Sequence, residues 1–138
     1  MVEFVDDSLS TNVLPAQAAL EAYGDRPVAL LVGGHDRGLD YAPLGQAVAR
    51  RTVPTLVVTM PSNGPRIGSA IREVVGDAVE VIDAAGLEEA VATAWNWARN
   101  CGGVVLLSPA APSFGRYADY RERARAFAEA AAKCGPLT

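Results

Sequence analysis

A three-layer α/β fold with a mainly parallel sheet of five or six strands is what this sequence predicts. Three observations carry it. Strand-like and helix-like patterns alternate from one end to the other, as in a parallel sheet covered by helices on both faces. The runs 28–32 (VALLV) and 104–107 (VVLL) are apolar without a break, the pattern of strands buried on both sides. The segments that follow the strands are long and rich in Gly, Pro, Ser and charge, whereas the opposite ends are short. That asymmetry makes one edge of the sheet the working face.

Each element has its own warrant. Residues 3–5 read as a short strand. Residues 15–23 read as a helix, with Thr11 or Asn12 as N-cap and Pro15 in the first turn. The second strand is 28–32. Residues 42–51 form a helix with Leu44, Ala47 and Val48 inward. The third strand is 55–59. A helix over 65–75 turns Ile67, Ala70, Ile71 and Val74 to one face, and Gly76 stops it. The fourth strand is 79–82. Leu87, Ala90, Val91, Ala94, Trp95 and Ala98 follow the i, i+3, i+4 series of one amphipathic helix. The fifth strand is 103–107, and the last helix is 119–133. Trp95 is expected in the core. Trp97, two positions on, faces another way and is expected to be partly exposed, against another domain. The alternating run Arg121, Glu122, Arg123, Arg125 reads as a solvated helix face.

With 138 residues the chain reads as one domain, 1–138, long enough to bury a real core. There is no internal repeat, low-complexity tract or interdomain linker. The chain starts almost directly in a strand, as if cut from a longer polypeptide. A net charge of −4 argues against a nucleic-acid partner, since phosphate binding needs clustered positive charge. No apolar run approaches the roughly 18–20 residues of a membrane span, and no signal-peptide pattern opens the chain. Cys101 and Cys134 belong to no CxxC pair, so they read as free thiols in a reducing, cytoplasmic setting. One histidine and no paired ligand spacing leave no basis for a protein-built metal site. Of the twelve basic residues Lys133 is the only lysine, a bias that resembles the codon usage of a GC-rich genome.

Four loops leave the carboxyl ends of predicted strands: DDSLSTN (6–12), GGHDRGLD (33–40), MPSNGPR (60–66) and SPAAPSFGRY (108–117). The second is the most informative. A buried strand breaks at Gly33 and Gly34, and His35, Asp36, Arg37 and Asp40 follow within a few positions. Ligands of open parallel sheets bind at this edge. The loop is neither a GxGxxG fingerprint nor a P-loop.

Three segments, FVDDSLSTN (4–12), LLVGGHDRGLDYAPL (30–44) and VVLLSPAAPSFGRYADYRERARAF (104–127), together resemble the C-terminal domain of Mur ligases. The similarity is greatest to the branch that adds glutamate to UDP-N-acetylmuramoyl-L-alanine. Order and spacing fit over nearly the whole chain. The resemblance implies a Rossmann-like domain of an ATP-dependent ligase of peptidoglycan precursor synthesis, acting in cell-wall biogenesis and so in cell shape and division. It implies a cytoplasmic enzyme. The partners it implies are the central and N-terminal domains of the same ligase, glutamate and UDP-N-acetylmuramoyl-L-alanine. ATP and magnesium belong to the full-length enzyme, held mainly by the central domain, and this domain alone would carry no cofactor.

The same resemblance assigns roles. Asp7 matches an aspartate near the nucleotide's ribose, and Asn12 the asparagine beside the substrate threonine, matched here by Thr11. Arg37 falls where relatives place a lysine that binds a substrate carboxylate. Ser108, with Ser113 or Phe114, matches the serine-proline loop that flanks the glutamate side chain. Tyr117 falls at a family phenylalanine. The expected set is thus Arg37, Thr11, Ser108, Ser113, Phe114 and Tyr117 for glutamate, and Asp7 and Asn12 for nucleotide, with no catalytic residue.

The departures are informative. The family's DSKATN reads DSLSTN here, so Leu9 replaces a lysine. Its GGDGK turn reads GGHDR, so an acid moves by one place. These changes resemble a divergent glutamate-adding branch that takes L-glutamate in place of the usual D-isomer, while the residues themselves leave both isomers open.

Plainer readings stand beside these roles. Arg37 could be a solvated loop arginine, Asp7 a turn or capping acid, and Thr11 and Asn12 simple N-caps. Ser108 has no GxSxG elbow and no neighbouring histidine, which argues against a nucleophile. His35 could titrate near neutral pH or be a bystander. Arg37 is the best candidate for carboxylate recognition, because a planar guanidinium binds a carboxylate through two parallel hydrogen bonds. In the ligase reading the full enzyme activates a carboxyl as an acyl phosphate that the glutamate amine attacks. This domain positions glutamate and is inert alone. The rival reading is a freestanding Rossmann-like module that binds a small ligand or a protein partner without ligase activity. A flavodoxin-like binding protein is the fallback, and it lacks a phosphate-loop signature.

Overall fold

The computed structural model describes residues 2–7, 13–33, 40–61, 64–108 and 120–134. Five strands and five helices alternate: β1 (Glu3–Asp6), α1 (Val13–Ala22), β2 (Val28–Val32), α2 (Ala42–Ala49), β3 (Thr55–Thr59), α3 (Gly64–Val75), β4 (Glu80–Asp83), α4 (Leu87–Ala98), β5 (Val104–Leu107) and α5 (Tyr120–Lys133). The β2, β3 and α4 bounds agree with the sequence pattern, and the other elements differ from it by a residue or two.

The strands form one sheet in the order β1-β5-β2-β3-β4, and every pairing is parallel. Two of the three inner strands, β2 and β5, are the uninterrupted apolar runs, and the third, β3, is an apolar run between two threonines; all three are buried almost throughout. The edge strands EFVD and EVID are short and acidic at both ends, with only their middle residues half-buried. Short, charged edges discourage pairing with another chain.

Strict alternation sorts the core into two layers. Val28, Leu30, Val32, Val57, Val104 and Leu106 pack with Ala16, Leu20, Leu44, Val48, Ile67 and Ile71 of α1, α2 and α3. Ala29, Leu31, Leu56, Val58, Val105 and Leu107 pack with Leu87, Val91, Ala94, Phe127 and Ala130 of α4 and α5. The three-layer α/β expectation holds.

Three side chains depart from their expected places. Arg123 is buried, 2% exposed, while Arg121 and Arg125 are exposed. Two positions along a helix is just over half a turn, so Arg123 joins the inward stripe of Phe127 and Ala130 instead of its charged neighbours. Val74 is 39% exposed. The inward stripe of α3 is Gly64, Ile67, Gly68, Ile71 and Val75, and Val74 sits beside it, over Gly45 of α2. Trp95 is half-buried rather than core, with the Arg99 guanidinium 4.8 Å from its ring centroid. Trp97 is half-buried against the same cluster. Gly76 ends α3 at φ 58°, with its N–H on the Arg72 carbonyl, as a glycine stop requires.

Candidate functional site

The site grows out of the sheet order. β5 enters between β1 and β2, so the three loops that carry the family resemblance leave three adjacent strands at one edge. The chain turns from β1 and β2 toward the α1–α3 layer but from β5 toward the α4–α5 layer. Connections that diverge to opposite faces open a crevice between neighbouring strands. Here β5 has such a divergence on each side.

Asp7 and Ser108 sit at the first of them. The register pairs Asp6 with Leu107, so the next residues leave their strands side by side. The ladder continues through both. The Asp7 N–H donates to the Leu107 carbonyl at 2.7 Å, and the Ser108 N–H donates to the Leu31 carbonyl at 3.3 Å. The Ser108 hydroxyl then donates to Asp7 Oδ2 at 2.9 Å. Ser108 is fully buried and Asp7 half-buried. Asp7 is therefore no mere turn acid, because its carboxylate bonds a residue of another strand.

Of the residues proposed from sequence, these two are brought together. Thr11, Asn12, Arg37, Ser113, Phe114 and Tyr117 lie outside the described residues, as do Leu9 and His35. The segments bearing them start beside this pair. Arg37 follows β2, Thr11 and Asn12 follow β1, and Ser113, Phe114 and Tyr117 follow β5.

The exits of β2 and β3 are fastened to each other. Gly33 has φ 135°, and a Cβ built on it would lie 2.2 Å from the Met60 carbonyl oxygen. Met60 donates its N–H to Val32 at 2.8 Å. Asp40 ends the same loop and accepts the N–H of Ala42, the first residue of α2, at 3.0 Å, so this loop acid satisfies one of the free donors at the helix start although the N-cap position is Tyr41. Next to it the Arg66 guanidinium lies 5.1 Å from the centroid of the buried Tyr41 ring, a cation–π contact.

A second polar pair at this edge escaped the sequence reading. Thr59 at the end of β3 donates to Asp83 Oδ1 at the end of β4, at 2.6 Å. Asp83 Oδ2 is also 3.9 Å from Arg72 Nη2. Here too the connections diverge, to α3 on one face and α4 on the other. The legible signal was that Thr59 closes a predicted strand and Asp83 directly follows one at the working edge. Among the described residues no cluster of His, Cys, Asp and Glu could hold a metal ion. Among the described residues no helix is long and apolar enough to cross a membrane.

No protein-family model matches the chain. Curated relatives do. The chain is 47% identical over 131 residues to the UDP-N-acetylmuramoyl-L-alanine–L-glutamate ligase of Xanthomonas axonopodis pv. citri, covering 94% of this chain. It is 45% identical over 127 residues to the enzyme of the same name from a Micromonospora species, covering 92%. It is 44% identical over 126 residues to that of Xylella fastidiosa, covering 91%. The chain spans about 28% of the length of the Xanthomonas protein and 27% of the other two. The resemblance carried by the three loop segments is borne out by these relatives.

Proposed function

We propose that this chain, homologous over nearly its whole length to part of the glutamate-adding Mur ligases, is their C-terminal amino-acid-binding domain. The observation that carries this reading is the match between identity and geometry. The shared segments include three loops that leave three adjacent strands, β1, β5 and β2. The named relatives add L-glutamate, so L-glutamate is the isomer proposed here.

Within that reading Arg37 and Thr11 face the carboxylates of glutamate, and Ser113, Phe114 and Tyr117 line its side chain. Asp7 and Asn12 lie on the nucleotide side, and Ser108 stands where the two sides meet. A carboxylate offers about four acceptor positions. Asp7 can thus hold the Ser108 proton and accept a ribose hydroxyl as well, which makes the site chemically fit for a nucleoside. The nucleotide, when bound, supplies the phosphoryl group that activates the acceptor carboxyl. The remaining domains of the ligase hold its phosphates, the magnesium and the UDP-sugar. This domain's contribution is orientation. Bringing an amine and an activated carboxyl into attack geometry replaces an encounter from solution.

The test is ligation by the full-length enzyme, with UDP-N-acetylmuramoyl-L-alanine, ATP and each glutamate enantiomer in turn. Product should form with L-glutamate, and the 138-residue segment alone should turn over no ATP. Glutamate-independent behaviour of the full-length enzyme would refute the reading.

A further inference from the structure

We infer that Ser108 acts through Asp7, as a positioning residue on the nucleotide side of the site, and not as a direct ligand of glutamate. This rests on the ligase reading above and departs from the role the family resemblance gives Ser108. A serine hydroxyl carries one proton. In this structure that proton goes to Asp7 Oδ2 over 2.9 Å. An ionised carboxylate only accepts, so the direction of the bond is fixed. Ser108 is 0% exposed, which leaves no bulk water to replace the bond if it breaks.

Both partners are also held from behind. The Ser108 N–H is tied to Leu31 and the Asp7 N–H to Leu107. The side chains therefore meet across two fixed main chains. Donating to a glutamate carboxylate would take the proton away from Asp7. The hydroxyl serves one of the two carboxylates at a time, and the one built beside it is Asp7. Its work is to hold that carboxylate in the orientation that receives a ribose hydroxyl.

The experiment uses the full-length ligase and reads three quantities for each variant: the apparent Michaelis constants for ATP and for L-glutamate, and the melting temperature. Calorimetric binding of a non-hydrolysable ATP analogue is the fourth. Ser108→Ala frees the Asp7 carboxylate to turn away from the ribose hydroxyl, and should raise the ATP constant and weaken analogue binding by up to about tenfold, the ceiling set by loss of the one charged hydrogen bond that Asp7 makes to the nucleotide. The glutamate constant should stay within about twofold. Ser108→Cys keeps the shape with a somewhat larger atom but donates weakly and should shift the same two readings, with a smaller change in melting temperature than Asp7→Ala. In an Asp7→Ala background, Ser108→Ala should add less than about twofold, because the residues act as one unit.

A rise in the glutamate constant with the ATP constant unchanged would overturn the inference. So would full multiplication of the two substitutions. If the wild type shows no glutamate-dependent ligation, the functional reading fails instead. The calorimetric arm needs no glutamate and still decides the pair, since equal analogue affinity in wild type and Ser108→Ala refutes it.

Discussion

Gly33 closes on the main chain of Met60. At φ 135° its missing Cβ would stand 2.2 Å from the Met60 carbonyl oxygen and 3.0 Å from the Met60 nitrogen. The contact joins the exits of β2 and β3, and the loop bearing Arg37 departs from it. Both the backbone angle and the space require glycine.

Gly33→Ala is therefore expected to destabilise the fold by about 2–4 kcal/mol, since a strained φ and a steric overlap add. Urea unfolding of wild type and variant checks it. Gly76→Ala is the control. Gly76 also has a positive φ, 58°, but nothing lies within 4 Å of its added Cβ, so only the backbone cost remains, about 1 kcal/mol.

Arg51 staples the opposite edge of the sheet. Its Nε donates to Thr55 Oγ1 at 2.6 Å, Nη1 to the Tyr23 carbonyl at 3.1 Å, and Nη2 to the Arg26 carbonyl. One side chain thus ties the turn after α1 to the start of β3. Arg51→Ala should cost about 2 kcal/mol, an amount reduced from the sum of three charged bonds by partial exposure. Arg51→Lys should recover little, because an ammonium lacks the planar fork. Burial lowers the Arg51 pKa. The protonated form is therefore disfavoured in the fold by a constant amount at every pH well below that pKa. Stability attributable to Arg51 should show no slope between about pH 5 and 9.

The two cysteines should separate by reactivity. Both are free; Cys101 is exposed and Cys134 half-buried. Burial pushes the Cys134 thiol up, so less of it is thiolate at a given pH. Timed alkylation at pH 8 with mass spectrometry should show Cys101 modified first. Cys134 should gain rate as the pH rises further. Equal rates at pH 8 would contradict the placement of α5.

Much of the fold was legible because the amphipathic helices show their period, and VALLV and VVLL are short apolar runs bounded by turn signals, the pattern of strands buried on both faces. The strand order was not legible. Nothing local in VVLL says that it enters between β1 and β2, yet that insertion sets Ser108 beside Asp7. Arg123 was misread for a related reason. Its neighbours are charged, and the stripe it joins is visible only once Phe127 and Ala130 are known to face the sheet. At the site, residue types and order pointed to the edge of the sheet where Asp7 and Ser108 meet. The bond between Asp7 and Ser108 spans 101 positions, beyond the reach of any local pattern.

The central claim is that this domain recognises glutamate, and Arg37 tests it most directly. Steady-state kinetics of the full-length ligase should be measured for wild type, Arg37→Ala and Arg37→Lys, with glutamate and ATP varied in turn. Loss of a charged hydrogen-bonding partner costs about 1.5–3 kcal/mol, or roughly ten- to a hundredfold. Arg37→Ala should raise the Michaelis constant for L-glutamate by that factor and leave that for ATP nearly unchanged. Arg37→Lys should recover part of the loss. An unchanged glutamate dependence in Arg37→Ala would contradict the account and make Arg37 a surface residue.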